Sequence, residues 1–363
     1  MNISNSMYDL SLDQICNIIL HGGHKRTVFV EGDMGTGKTS LLKMLALLLP
    51  THVPMYFDST TKDLGDITIP NIKMVDDTGC VSYLTNEELG VHLNKPIILM
   101  IDEYGKANPT VKNALLRLML ERKIGSYELT PDSIVFATSN KGAEGVGDLL
   151  QAHQCNRISK VRARKPSNME WIEWGINNGV DHTLLGWCKD NPQLFQSFED
   201  VKDPDDNPYI FHPRQQRAHF VTPRSLEAAS DWLKEREHID DQSMTSILMG
   251  TIGERGAMDL MAFVKLADQL PTLQDIKDNP DTAKVPTSAS AICMVVYRTL
   301  ASLEKDWLNA WMDYLPRLDT EAQALFANGV RDGKYNKQSL VMTNKKFTEW
   351  ALQNNHMFAS DIK

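Results

Sequence analysis

One octapeptide, Gly32-Asp33-Met34-Gly35-Thr36-Gly37-Lys38-Thr39, constrains this chain more than any other stretch, because it fits the pattern GxxxxGK[ST]. Its flanks decide how it reads. Residues 26–30 have the apolar run of a buried strand, and residues 40–49, opening with Ser40, have that of an apolar helix. A strand, a glycine loop and a helix N-terminus together make an anion cradle. The loop N–H groups point inward at phosphate oxygens, and the helix dipole favours negative charge there. Lys38 would reach the β/γ-phosphates of a nucleoside triphosphate, and the Thr39 hydroxyl would ligate Mg²⁺.

Further apolar runs lie at 53–57, 97–101 and 134–138, with helical patterns between them, notably 109–122. Strands that alternate with helices predict an α/β fold with a parallel sheet flanked by helices. The strand at 97–101 ends in Asp102-Glu103, which puts two carboxylates at the carboxyl edge of the sheet, where open α/β folds bind ligands. Asp102 would hold Mg²⁺ through water, and Glu103 would polarise the water that attacks the γ-phosphate. The next strand closes with Thr138-Ser139-Asn140, and Asn140 can hydrogen-bond that water or the phosphate. Two arginines stand at telling places: Arg157 follows a helix-like segment at 147–154, and Arg224 begins a helix within Thr222-Pro223-Arg224-Ser225. An arginine delivered to a phosphate cluster accelerates transfer by roughly 10³–10⁵.

Composition narrows the class. A chain of 363 residues with 42% hydrophobic and 23% charged residues predicts about two soluble domains with ample core. Its net charge of −9 argues against a general nucleic-acid surface, although the run Lys160-Val161-Arg162-Ala163-Arg164-Lys165 is locally basic. Five scattered cysteines, Cys16, Cys80, Cys155, Cys188 and Cys293, form no CxxC pair, so a reducing, cytoplasmic location is expected. No signal-peptide pattern and no long apolar span are visible. Trp171 with Trp174, and Trp307 with Trp311, share helix faces and read as packing residues.

The chain is expected to divide into a nucleotide-binding core at 1–166, a helical lid at 167–270 and a mostly helical extension at 271–363. A Pro- and Asp-rich loop or insertion lies near 199–220.

The run 101–116, from Ile101-Asp102-Glu103-Tyr104-Gly105-Lys106 into a helix rich in Ala and Leu, resembles the AAA+ ATPases of the MoxR-like branch. Supporting matches are residues 122–129, Ala137-Thr138-Ser139-Asn140, Asn156-Arg157 and Thr222-Pro223-Arg224-Ser225, so the resemblance covers about residues 10–270. It implies a homo-oligomeric ring of six subunits that binds ATP and Mg²⁺ at subunit interfaces and hydrolyses the ATP. Lys38 and Thr39 would form Walker A, Asp102 and Glu103 Walker B, and Asn140 sensor 1. Arg157 would be the arginine finger, with Arg162 and Arg164 competing for that role, and Arg224 would be sensor 2. Asn156 and Ile158 flank Arg157 where the family usually carries an acid and an aromatic. The implied client is a protein, often one with a von Willebrand factor A domain. Residues 72–75 and 80–84 read as a hairpin, within a region that resembles the family's pore-facing segment. Competing readings are an AAA+ ATPase that acts on DNA or loads a helicase, an ATP-gated structural ring with little turnover, and, more weakly, a small-molecule kinase.

Overall fold

The computed structural model describes residues 9–75, 78–141, 158–215, 217–267 and 270–358. Two compact units meet in the chain at Lys165 and Pro166.

The first unit is built on six parallel strands in the spatial order β1-β10-β2-β9-β6-β3. They are β1 (Asp9–Leu10), β2 (Val28–Gly32), β3 (Val53–Asp58), β6 (Ile97–Asp102), β9 (Ile134–Asn140) and β10 (Ser159–Ala163). Alternation along the central strands sorts side chains to two cores. Val28, Val30, Ile98, Met100 and Phe136 face one helical layer, and Phe29, Leu99, Ile101, Val135 and Ala137 face the other.

The first layer comprises α1 (Leu12–Gly22), which buries Ile15, Cys16 and Ile19, and α2 (Ser40–Leu48), which buries Leu41 and Leu45. Opposite lies α3 (Pro109–Glu121), with Val111, Leu115 and Leu118 inward. Each such fully buried side chain contributes about 1.5–3 kcal/mol. The start of α3 is fixed by Asn108, whose side chain accepts from the Thr110 N–H, and by Pro109 in the first turn. It ends at Arg122, whose φ of 59° breaks the helix. The Arg122 guanidinium donates to the Gly23 carbonyl at 2.8 Å and the Met119 carbonyl at 2.9 Å, and burial lowers its pKa to about 10.

The first helix begins at Leu12, because Ser11 and Gln14 form a reciprocal capping box and Asp9–Leu10 pairs with β10. The basic run around 160–165 is an interior strand, lying between β1 and β2. Its charges stay in place because Lys160 and Arg162 reach the buried Glu31 of β2, at 2.9 and 3.4 Å.

The hairpin between β3 and β6 is longer than its sequence pattern suggests. Strands β4 (Thr68–Val75) and β5 (Thr78–Thr85) pair antiparallel, with Asp76 and Asp77 outside the described residues. Pro70 opposes Tyr83, Ile72 opposes Val81 and Met74 opposes Gly79, so one face of the ribbon is apolar beyond the Thr68–Thr85 pair at its base. That face is open, with Ile72 79% and Val81 59% exposed. A short second hairpin joins β7 (Lys123–Ile124) to β8 (Tyr127–Glu128).

The second unit is helical among its described residues. Its elements are α4 (Asn168–Asn177), α5 (His182–Asp190), α6 (Pro223–Lys234), α7 (Asp241–Ala267), α8 (Leu273–Asp278), α9 (Ala289–Ser302), α10 (Leu308–Tyr314), α11 (Thr320–Arg331), α12 (Gln338–Met342) and α13 (Lys345–Gln353). One hydrophobic cluster runs from Trp171 through Leu226, Tyr297 and Trp311 to Trp350, so residues beyond 270 share the core of those before it. The stretch near 199–220 carries short 3-10 turns and is stapled by Arg217, which donates to the Asn207 carbonyl at 2.8 Å and the Pro204 carbonyl at 2.7 Å. Helix α7 is broken at Gly253, with φ 82° and ψ 163°. A Cβ there would lie 2.6 Å from the His219 carbonyl oxygen, so only glycine fits. Trp171, Trp307 and Trp311 are buried as expected, whereas Trp174 is 41% exposed beside Trp171.

Candidate functional site

The parallel register brings the sequence-marked residues to one edge. Gly32, the last residue of β2, lies opposite Asn140 on β9, and Asp58 of β3 lies opposite Asp102 on β6. Numbered along the chain without β1, the order is 5-1-4-3-2. The glycine loop leaves strand 1, the acids end strand 3, and Asn140 ends strand 4 between them.

The loop itself is shaped by glycines. Gly35 and Gly37 have φ of 70° and 92°, conformations that side chains resist. Gly32 lets β10 approach, since a Cβ there would lie 2.8 Å from the Ala163 carbonyl oxygen. Thr36 closes the turn by donating to the Asp33 carbonyl at 2.9 Å. Met34 lies at the turn, Thr39 caps α2, and the Ser40 hydroxyl donates to the Gly37 carbonyl at 2.7 Å. The Lys38 ammonium is drawn back over the loop. It donates to the Gly32 and Asp33 carbonyls at 2.8 Å each and to Asn140 Oδ1 at 2.9 Å.

Asn140 spends its amide on both sides of the edge. While Oδ1 accepts from Lys38, Nδ2 donates to Glu103 Oε1 at 2.9 Å. Glu103 stands in the left-handed region at φ 51° and ψ 33°, a strained conformation for a non-glycine residue that costs on the order of 1–3 kcal/mol. Its other oxygen, Oε2, is buried without a hydrogen bond, and Lys106 Nζ stands 3.2 Å away as a charge contact. Gly105 permits this turn to press against Ser139.

Asp102 is buried and heavily engaged. Thr138 Oγ1 and the Glu103 N–H donate to Oδ1, and the Tyr56 hydroxyl donates to Oδ2 at 3.0 Å. A carboxylate offers about four acceptor positions. Three are taken, which leaves room for one water-borne contact and suits a carboxylate that meets a hard cation through its hydration shell. The all-oxygen set of Thr39 and Asp102, the positive-φ glycine cradle and the nearby Glu103 carboxylate thus fit Mg²⁺ and a triphosphate.

Of the sequence-marked residues, Gly32–Ser40, Asp102, Glu103 and Asn140 are brought to this edge. Arg157 lies outside the described residues. Arg224 is placed in the helical unit, in the first turn of α6, which Thr222 and Ser225 cap reciprocally. Arg162 pairs with Glu31, and Arg164 donates to the Lys165 carbonyl at 3.1 Å. Sequence reasoning missed the contacts of Tyr56 and Lys141, which no motif marks, and that of Lys106, which lies in the run 101–116 without a role assigned to it. Lys141 Nζ lies 2.7 Å from the buried Asp33 carboxylate, with Lys165 Nζ at 3.8 Å from its other oxygen. This pairing ties the loop to the ends of β9 and β10.

No protein-family model matches the chain, and no curated protein matches it. Among solved structures it is similar to a Cytophaga hutchinsonii protein that bears the name putative ATPase, with 18% identity, a TM-score of 0.35, and 48% of this chain and 52% of that one covered. The chain thus spans about half the length of that protein. It is also similar to RuvB of Thermotoga maritima, a Holliday junction branch migration motor, with 13% identity, a TM-score of 0.35, and 82% and 86% covered. A RuvB point mutant from the same organism gives 17% identity and a TM-score of 0.36, with 83% and 91% covered. The fold assignment rests on strand order and motif placement, not on these likenesses. Those features define an α/β P-loop fold, a parallel sheet flanked by helices and followed by a helical unit. Among the described residues no helix is long and apolar enough to cross a membrane.

The Asp33 ion pairs predict a stability effect. Asp33 is 2% exposed, so Asp33→Asn would strand Lys141 without its closest anion. The sheet unit is expected to lose about 3 kcal/mol, read as faster amide exchange along β2 and β9 in urea. All seven tryptophans lie beyond residue 166, so their fluorescence should be unchanged. Unaltered exchange in the sheet would show that the pairs do not hold the loop.

Proposed function

We propose that this chain is an ATP-hydrolysing AAA+ ring machine of the MoxR-like kind that remodels or assembles a protein partner. The observation that carries the reading is the bridge Lys38–Asn140–Glu103, which joins the phosphate loop to a strained acid through one side chain. Such a bridge suits hydrolysis better than binding alone, because the group that reads the phosphate also holds the group that activates water.

In this reading, ATP seats its phosphates on the N–H groups of residues 33–39, and Lys38 moves from the loop carbonyls to the β/γ-phosphates. Thr39, and Asp102 through water, would hold Mg²⁺, which would supply charge neutralisation. Glu103 takes the proton of the attacking water at its carboxylate, while Asn140 orients that water. Tyr56 and Thr138 hold Asp102 in place. Arg157, supplied by a neighbouring subunit of a six-membered ring, and Arg224, as sensor 2, are proposed to stabilise the transferring phosphoryl group. The lid at 167–270 and the extension at 271–363 remain functional proposals, as does a cytoplasmic location. A nucleic-acid client finds little support, because the basic run spends Lys160 and Arg162 on Glu31 and Lys165 on Asp33.

Glu103→Gln is expected to lower ATP turnover by about 10²–10⁴ while nucleotide affinity is kept, measured by phosphate release and by titration with a fluorescent ATP analogue. Chelating Mg²⁺ should have a comparable effect. Full turnover in the variant would remove Glu103 from the water-activating role.

The client contact is proposed on the apolar face of the β4–β5 hairpin, the segment that resembles the family's pore-facing region. A protein with a von Willebrand factor A domain is the client that the resemblance suggests. Because Ile72 and Val81 are exposed, the double substitution Ile72→Ser and Val81→Ser should leave folding and basal ATP turnover intact. It should release the protein that co-purifies with the Glu103→Gln trap. Undiminished retention would place the client elsewhere.

A further inference from the structure

Helices α5 and α9 pack closely, and Gly186 sets the spacing, since any side chain there would run into Met294. One turn beyond Gly186 on α5 is Lys189, and next to Met294 on α9 is Cys293. Lys189 Nζ lies 2.8 Å from Cys293 Sγ across the two helices. That separation is short for such a contact. It matches an N–H···O bond, whose mode is about 2.9 Å, yet the acceptor is sulfur, a larger atom. The two atoms stand at the span of two single bonds meeting at one bent oxygen.

Cys293 belongs to the hydrophobic core of the helical unit. Cys293 is 6% exposed, which shields it from large thiols but not from a diatomic gas. Burial raises its thiol above the ordinary value, and the Lys189 contact opposes that shift, so the sulfur carries its proton at neutral pH. Cys80, by contrast, is exposed and donates to its own hairpin's Lys73 carbonyl at 3.2 Å.

We infer that Lys189 and Cys293 form an oxidative modification site, at which dioxygen joins them through a covalent nitrogen–oxygen–sulfur bridge. The Lys189 ammonium, the thiol and one dioxygen give the bridge, one water and one proton released to solvent. The S–H bond, two N–H bonds and the O–O bond break. One oxygen atom forms an N–O and an S–O bond, and the other leaves as water with two of the released hydrogens. Sulfur and nitrogen each give up two electrons, and dioxygen takes up all four. A small dithiol reductant, in two equivalents, cleaves S–O and N–O, and the bridging oxygen leaves as water. The link ties α5 to α9 across 104 positions of sequence, and so joins the parts of the helical core on either side of residue 270. It does not depend on the ATPase reading.

The test uses the full chain held in air-saturated buffer and a matched sample kept under reductant, both digested and mapped by high-resolution mass spectrometry. The expected result is a linked pair of peptides carrying Lys189 and Cys293, with one oxygen gained and two hydrogens lost. It should vanish under reductant and be absent from Cys293→Ser and from Lys189→Arg, the latter keeping the charge. Tryptophan fluorescence should melt roughly 5–10 °C higher in the linked wild-type protein than in the reduced one. This comparison needs no variant to fold. Absence of any link after prolonged oxygenation, while the Cys80 thiol is oxidised, would overturn the proposal. So would a direct S–N link with hydrogens lost and no oxygen gained.

Discussion

The site depends on Asn140 standing between Lys38 and Glu103. A lysine amine and a carboxylate facing each other across a sheet edge would otherwise meet directly or drift apart. One amide side chain, with an acceptor and a donor at fixed separation, serves both. Its position is a consequence of strand order. Because β9 runs between β2 and β6, its tip separates the phosphate loop from the acids, and the parallel register puts Asn140 level with Gly32. The chemistry is therefore specified by the sheet before any ligand arrives.

A second layer of contacts keeps that arrangement firm. Asp102 is fixed by Thr138 and Tyr56, Asp33 by Lys141 and Lys165, and Glu31 by Lys160 and Arg162. Each pairing bridges strands that are distant in sequence. Buried acids in an otherwise apolar sheet are costly when unpaired, so each has a partner within reach. The strain at Glu103 then has a rigid frame to lean on, and its Oε2 faces the Lys106 ammonium at 3.2 Å.

The sequence showed what was contiguous and hid what register creates. The glycine loop was legible because Gly35, Gly37 and Lys38 are bound to one turn, and Asp102 and Asn140 because each closes an unbroken apolar run. Tyr56 and Lys141 were not, since nothing in their neighbourhood announces the carboxylates they meet. Strand β10 was obscured by the very charges that pair with Glu31, which broke the apolar run a buried strand normally shows. The grouping of residues 270–358 with the preceding helices was likewise invisible, because the division expected after residue 270 follows local pattern whereas packing continues across it.

The central claim is that a triphosphate is received at Lys38 and that its arrival frees Glu103 from Asn140. The most direct measurement is a structure of the assembled protein with Mg²⁺ and a non-hydrolysable ATP analogue. The account predicts the terminal phosphate within hydrogen-bond distance of Lys38 Nζ, Asn140 turned toward it, and a water between Glu103 and the phosphorus. A saturated complex with the nucleotide seated elsewhere, or with Lys38 still on the Gly32 and Asp33 carbonyls, would contradict it.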